Sequence, residues 1–97
     1  MSKPAYIVVD ARSSDPAAMG RYRELAQKAV AACGGRYMVR GGDYEVLEGQ
    51  WDLQRLVILE FPSLEAARGF YDSPEYREAR AARAGISDFD VLVVEGY

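Results

Sequence analysis

Three short runs of this chain, Tyr6-Ile7-Val8-Val9, Leu56-Val57-Ile58-Leu59 and Val91-Leu92-Val93-Val94, are apolar at every position. Successive side chains of a β-strand point to opposite faces, so a strand with one wet face should be polar at every second place. These runs break that rule. Tyr6 and Val8 oppose Ile7 and Val9, Leu56 and Ile58 oppose Val57, Leu59 and Phe61, and Val91 and Val93 oppose Leu92 and Val94. They read as strands of a sheet that needs cover on both sides.

The segments between them supply cover for one side. Asp15 can accept hydrogen bonds at a helix start and Pro16 suits the first helical position. From there Met19, Tyr22, Ala26, Ala29, Val30 and Cys33 recur at three- and four-residue steps, which predicts an amphipathic helix from Pro16 to about Cys33, stopped by Gly34-Gly35. Arg36 to Arg40 is a short strand. Gly41-Gly42 interrupts it as a bulge, a bend or a place of close ligand approach, and Tyr44 to Glu48 is expected to resume extended structure. Gly49 to Asp52 turns the chain, and Leu53 to Phe61 is the next strand. Ser63 caps a helix from Leu64 to about Tyr71. Ser73 and Pro74 start another that runs to about Ala84, where Gly85 closes it, and Asp88 to Gly96 is the last strand.

The order is βαββαβ, an α+β fold of the ferredoxin-like plan, with an antiparallel four-stranded sheet and its helices on one face. A length of 97 residues predicts one domain over residues 1–97. Helices on one face leave the other face of the sheet apolar and open. Each such side chain gains about 1.5–3 kcal/mol on full burial, and half a dozen left in water would forgo roughly the whole stability of a small domain. Pairing of two sheets face to face removes the conflict, so the expected partner is a second copy of the chain.

Composition narrows function chiefly by exclusion. Ten arginines are scattered among fifteen carboxylates and the net charge is −3, without the positive stripe that nucleic acid requires. Arg77, Arg80 and Arg83 fall on one face of a short helix and read as a solvated face. There is no histidine, which excludes Ser-His-Asp and Cys-His catalysis and His-ligated metals; no metal and no cofactor are expected. The single cysteine, Cys33, excludes an intrachain disulfide and reads as a small buried hydrophobe. Met1-Ser2-Lys3-Pro4 lacks the apolar stretch of a secretory leader and no segment reaches membrane-spanning length, so a cytoplasmic location is expected.

Four segments together carry a family resemblance: AYIVVDAR with Asp15-Pro16, GGRYMVRGGDYEVLEGQWD, RLVILEFPSLEAARGFYDSPEYREARAAR and the terminal VEGY. In these the chain closely resembles the small proteins grouped as domain of unknown function 1330 (DUF1330), a branch of the dimeric α/β-barrel superfamily. The resemblance implies a ferredoxin-like subunit whose sheet pairs with a partner's to form a barrel. The superfamily includes cofactor-independent monooxygenases, lactone isomerases, decarboxylases, cyclases and proteins without known activity, so the fold does not set the chemistry. Many of its enzymes use a histidine that this chain lacks.

The candidate site residues come from the chain itself. Arg40 beside Gly41 and Gly42 can grip a carboxylate or enolate; its structural alternative is a bulge arginine paired with a neighbouring carboxylate. Glu60 lies between Leu59 and Phe61, where desolvation would suit it to acid–base work and an ion pair to Arg40, Arg55 or Arg12 would make it structural. Arg40 and Glu60 are the candidate catalytic pair. Gly41, Gly42, Trp51, Arg55, Tyr71 and Tyr76 are the candidate ligand contacts, the aromatic groups serving as pocket walls or as core and interface filling. Asp10 and Glu95 are placed toward strand ends, where solvation is easier, and Phe70 and Tyr22 in the core. Two functions stand: a cofactor-free enzyme acting on a small organic acid or lactone, and a ligand-binding or structural dimer without catalysis. Haem chemistry is disfavoured without an axial histidine.

Overall fold

The computed structural model describes residues 3–97; Met1 and Ser2, the start of the segment read above as lacking a leader, lie outside the described residues. Four strands, β1 (Ala5–Ser13), β2 (Arg36–Arg40), β3 (Leu56–Phe61) and β4 (Ser87–Glu95), form an antiparallel sheet in the order β2-β3-β1-β4. Three helices, α1 (Gly20–Ala32), α2 (Leu64–Asp72) and α3 (Pro74–Ala82), make up the second layer. This is the expected ferredoxin-like α+β arrangement.

Local chemistry sets the helix ends. The Asp15 carboxylate accepts from the Ala18 N–H at 3.3 Å, and Pro16–Met19 form a 3-10 turn that leads into α1. Gly34, at φ 78°, takes the left-handed conformation that ends α1. Ser63 Oγ accepts from the Ala66 N–H at 3.0 Å. Ser73 serves two helices: its hydroxyl donates to the Phe70 carbonyl at 2.7 Å and accepts from the Tyr76 N–H at 3.2 Å. One side chain thereby ends α2, starts α3 and sets the angle between them.

Register divides the sheet into two faces. Ile7 is opposite both Leu59 and Val93, and Val9 opposite Val57 and Val91. These point to the helices, where Ile7, Val9, Leu59 and Phe61 are buried with Ala26, Ala29, Val30, Ala67, Phe70, Tyr76 and Ala79. The other face carries Tyr6, Val8, Ile58, Leu92 and Val94, and no described element covers it; Leu92 is 55% exposed and Val94 47%. The apolar second face expected from the sequence is therefore present.

Three readings are corrected. First, Tyr44–Glu48 is not extended sheet structure, and β3 begins at Leu56, not Leu53. Gly41, at φ 69°, bends the chain away from edge strand β2, and residues 41–52 are exposed throughout with no strand beside them. Second, Arg80 and Arg83 are not a solvated face. Their guanidiniums lie 4.4 Å from the Tyr71 ring centre and 4.1 Å from that of Phe89, which conceals their charge against aromatic faces; Arg77 is exposed. Third, Asp10 is not solvated near a strand end. It is 7% exposed, because β1 continues to Ser13 and the chain at residues 54–55 folds over it.

Asp10 is the most heavily bonded carboxylate of the fold. Its Oδ1 accepts the N–H groups of Gln54 at 3.0 Å and Arg55 at 3.2 Å, and its Oδ2 accepts from Arg12 Nη1 at 2.7 Å. Arg12 also meets Asp90 at 2.9 Å. Burial by itself would raise the Asp10 pKa, but the two backbone donors and the guanidinium outweigh it and hold the carboxyl below its ordinary 3.8. A depressed folded-state pKa adds stability that is fully present above 3.8 and is lost as pH falls through the lower folded value. In acid titrations followed by circular dichroism, Asp10→Asn should therefore be less stable than wild type at neutral pH, and the difference should shrink below pH 3.8.

Candidate functional site

A cavity of about 560 Å³ opens between the helix layer and the sheet, toward the end where β2 gives way to the 41–55 segment. Its floor is the helix-facing side of the sheet, with Ile7, Val9, Val57, Leu59 and Val91. Its walls are mostly aromatic: Tyr22 from α1, Tyr37 from β2, Phe70 and Tyr71 from α2, Tyr76 from α3 and Phe89 from β4. A volume of this size suits a small organic molecule.

The aromatic walls hold one another in place. Tyr76 lies 4.5 Å from Phe70 and 5.6 Å from Tyr71, and Tyr22 packs edge-on against Phe89 at 5.4 Å, all between ring centres. The Tyr22 and Tyr76 hydroxyls are 2.8 Å apart and hydrogen-bonded. Burial raises the Tyr22 pKa far above that of a free phenol, and the neighbouring Tyr76 raises it further. Burial also raises that of Tyr37. These phenols therefore stay neutral at ordinary pH and act as hydrogen-bond donors and acceptors, not as phenolate bases.

The mouth is basic. Arg23, Arg40 and Arg55 line the cavity and Asp43 is the one carboxylate that does. None of the three arginines makes an ion pair among the described residues. Arg23 donates to the Pro16 carbonyl at 3.1 Å, and Arg40 donates to Gln27 Oε1 at 3.1 Å while stacking 4.3 Å above Tyr37. Arg55 is held through its backbone: Asp10 takes its N–H, and its carbonyl accepts the Ala11 N–H at 2.8 Å. Its guanidinium lies against Gly41, where an added Cβ would come within 2.5 Å of Nη1. Glycine at 41 thus does two things: it permits the left-handed bend, and it leaves room for the Arg55 guanidinium against the backbone.

Of the sequence-derived site residues, Arg40, Gly41, Gly42, Arg55, Tyr71 and Tyr76 come together around this cavity. Trp51 does not line it and is 69% exposed. Glu60 is on the opposite face of the sheet, where Arg36 Nε donates to its Oε1 at 2.7 Å and the Tyr6 hydroxyl to its Oε2 at 3.1 Å. The sheet therefore separates Arg40 from Glu60, and Arg36 is the ion-pair partner of Glu60. The sequence reading missed Tyr22, Tyr37 and Arg23 as wall and mouth residues. The available signal was the tyrosine hydroxyl itself: Tyr22 on the inner face of a helix has to find a polar partner there. Among the described residues no group of three or more His, Cys, Asp or Glu side chains could hold a metal ion, and no helix is long and apolar enough to cross a membrane.

Gly41→Ala should force Arg55 away from the mouth and place a side chain at positive φ. A loss of about 1–2 kcal/mol in stability is expected, the cost of a left-handed conformation for an L-residue. Chemical denaturation measures that loss, and the Arg55 side-chain NMR resonances report the displacement.

Solved structures share this architecture. RPA0582 from Rhodopseudomonas palustris, a protein of unknown function, matches with a TM-score of 0.73 at 20% identity, over 100% of this chain and 85% of that one. SnoaB from Streptomyces nogalater, a cofactor-independent oxygenase, matches with a TM-score of 0.66 at 12% identity, over 99% and 95%. A dimeric ferredoxin-like protein of unknown function from Thermobifida fusca matches with a TM-score of 0.57 at 16% identity, over 99% and 93%. At these identities the likeness is one of fold. No curated protein matches the chain. Residues 4–97 do match a family throughout, and the chain belongs to it: the family of the domain of unknown function DUF1330.

Proposed function

We propose that the chain is a homodimeric small-molecule-binding protein, one domain over residues 1–97 working in the cytoplasm, whose cavity takes a small organic acid or lactone. One observation carries the reading: three guanidiniums line an aromatic-walled cavity without a carboxylate partner among the described residues. An anionic group at Arg40 and Arg55 would receive charge-assisted hydrogen bonds. A ring or acyl body would lie among Tyr22, Tyr37, Tyr71 and Tyr76, with the tyrosine hydroxyls fixing its orientation.

The Tyr22–Tyr76 pair favours a second reading, a cofactor-free enzyme. One hydroxyl of the pair donates to the other, which leaves the second O–H to donate to a carbonyl or enolate oxygen while Arg40 neutralises developing charge. With Glu60 behind the sheet, that chemistry would rest on the tyrosines and arginines. SnoaB, described as a cofactor-independent oxygenase, shows that this fold can host such work in another protein.

The second copy is proposed to cover the open face, where Val8, Ile58, Leu92 and Val94 would be buried against the partner's sheet. The dimeric description of the Thermobifida fusca neighbour supports this. Val94→Asp should convert dimers to monomers in sedimentation velocity at micromolar concentration; a wild-type protein that sediments only as monomer would remove the homodimer.

Ligand binding is tested by NMR titration with benzoate and phenylacetate against their amides. The acids should bind, and Arg40→Gln or Arg55→Gln should weaken them about 10- to 100-fold, the effect of losing a hydrogen bond to a charged group, with little change for the amides. Equal affinity for acid and amide would count against the arginine mouth. Turnover of a lactone probe that Tyr22→Phe abolishes while binding persists would select the enzyme, and binding without turnover the non-catalytic form.

A further inference from the structure

The segment joining β2 to β3 turns Asp43 and Tyr44 to its own cavity and, beyond them, carries apolar side chains that its own subunit does not bury. Leu47 is 87% exposed and Trp51 69%, with Val46 and Tyr44 beside them. Asp43, Glu45, Glu48 and Asp52 accompany these apolar groups, and none of the four carboxylates makes an ion pair among the described residues. The result is an apolar projection that carries negative charge.

At the far edge of the sheet lies a feature of complementary character. A second cavity of about 320 Å³ opens between α2 and the free edge strand β4, lined by Ala67, Val91, Leu92 and Val93. Arg68 and Asp72 stand at its rim, and Arg68 makes no ion pair among the described residues. Ile7, Tyr71 and Val91 line both this groove and the main cavity, so the two spaces share a wall.

Projection and groove belong to opposite halves of one sheet, since β2 and β4 are its two edges. In a face-to-face pair whose two-fold axis runs along the strands, the β2 edge of one sheet lies over the β4 edge of the other. That symmetry places each projection over the sheet edge that carries the other copy's groove.

We propose that the 41–55 segment of one subunit seats Trp51 in the α2–β4 groove of its partner, its carboxylates meeting Arg68, so that the Tyr71 wall of each ligand cavity is backed by the other copy. The inference rests on the homodimer reading and goes beyond it. A sheet-to-sheet dimer needs no contact at Trp51, whereas this arrangement buries the indole, passes one Tyr71 wall between both sites and makes ligand binding depend on assembly.

Trp51 is the sole tryptophan, so its fluorescence reports the seat directly. In the wild-type dimer its emission should be blue-shifted and protected from iodide quenching, and both features should disappear when dilution or Val94→Asp yields monomers. Independently, Trp51→Cys with Arg68→Cys, in a Cys33→Ser background, should form a disulfide between subunits on mild oxidation, seen as a covalent dimer in denaturing gels. Neither single-cysteine variant should do so. A stable dimer with a solvent-exposed Trp51 and no covalent product would overturn the inference and leave the homodimer standing. An intrachain disulfide would assign the groove to the subunit's own segment, and a titrated benzoate found in the groove would assign it to a ligand; each overturns the seat. Monomers at all concentrations would remove both readings together.

Discussion

Strand β1 is paired on both sides, and its register decides what each face of the molecule contains. Because side chains alternate, a slip of one residue would send Tyr6, Val8, Asp10 and Arg12 into the helices and expel Ile7 and Val9. Such a slip would bury Asp10 and Arg12 where no backbone donors await them. In the observed register the Asp10 carboxylate closes on the Gln54 and Arg55 N–H groups and on Arg12. A group on the open face thus holds the backbone that delivers Arg55 to the cavity on the other face. The mouth of the site is anchored through the sheet.

The cavity follows from the way large and small side chains are distributed. The helices turn alanines inward at 26, 29, 67 and 79, all buried. Alanine lets helix and sheet backbones approach but fills little space, so the volume between the layers falls to a few aromatic rings. These rings are tied to each other by the Tyr22–Tyr76 hydrogen bond and are backed by Arg80 and Arg83 stacked from the helix side. The space that these side chains leave is lined by ring faces and hydroxyls. Ser73 contributes from outside, since joining α2 to α3 at one residue is what presents Tyr71 and Tyr76 together.

The strand and helix order was readable because its signals are local. Asp15, Ser63 and Ser73 each cap a helix where the sequence placed a cap, and the apolar runs became the strands. The candidate catalytic pair was not readable, and the reason is a phase error of one residue. Arg36 and Arg40 are four apart and would share a face in a regular strand. A register shift between Tyr37 and Val39 breaks that parity, pairing Arg36 with Glu60 on the open face and turning Arg40 toward the cavity. A bulge adds no distinctive residue type, so alternation alone could not reveal it. Asp10 was misread for a related reason: its solvation depends on where residues 54 and 55 fold, which is a tertiary fact. Trp51 was a plausible wall on composition, but nothing local says which way a loop indole faces.

The charge distribution carries one more step. The chain is acidic as a whole, at −3, yet its cavity gathers three arginines and a single aspartate. Net charge speaks to solubility and long-range association, whereas recognition is set by the groups that share one enclosed space. Each of these guanidiniums lacks an ion-pair partner among the described residues, and partial burial weakens the screening that water would supply. Several acidic side chains lie within reach in sequence, at positions 43, 45, 48 and 52 of the same loop, and none of them makes an ion pair with these arginines. Leaving the positive charges unpaired favours binding of an anion, and a ligand that binds only the folded chain stabilises it by an amount that grows with the logarithm of its concentration above Kd. The acids of the loop are likewise without an ion-pair partner among the described residues, so the segment that borders the cavity leaves charges of both signs available.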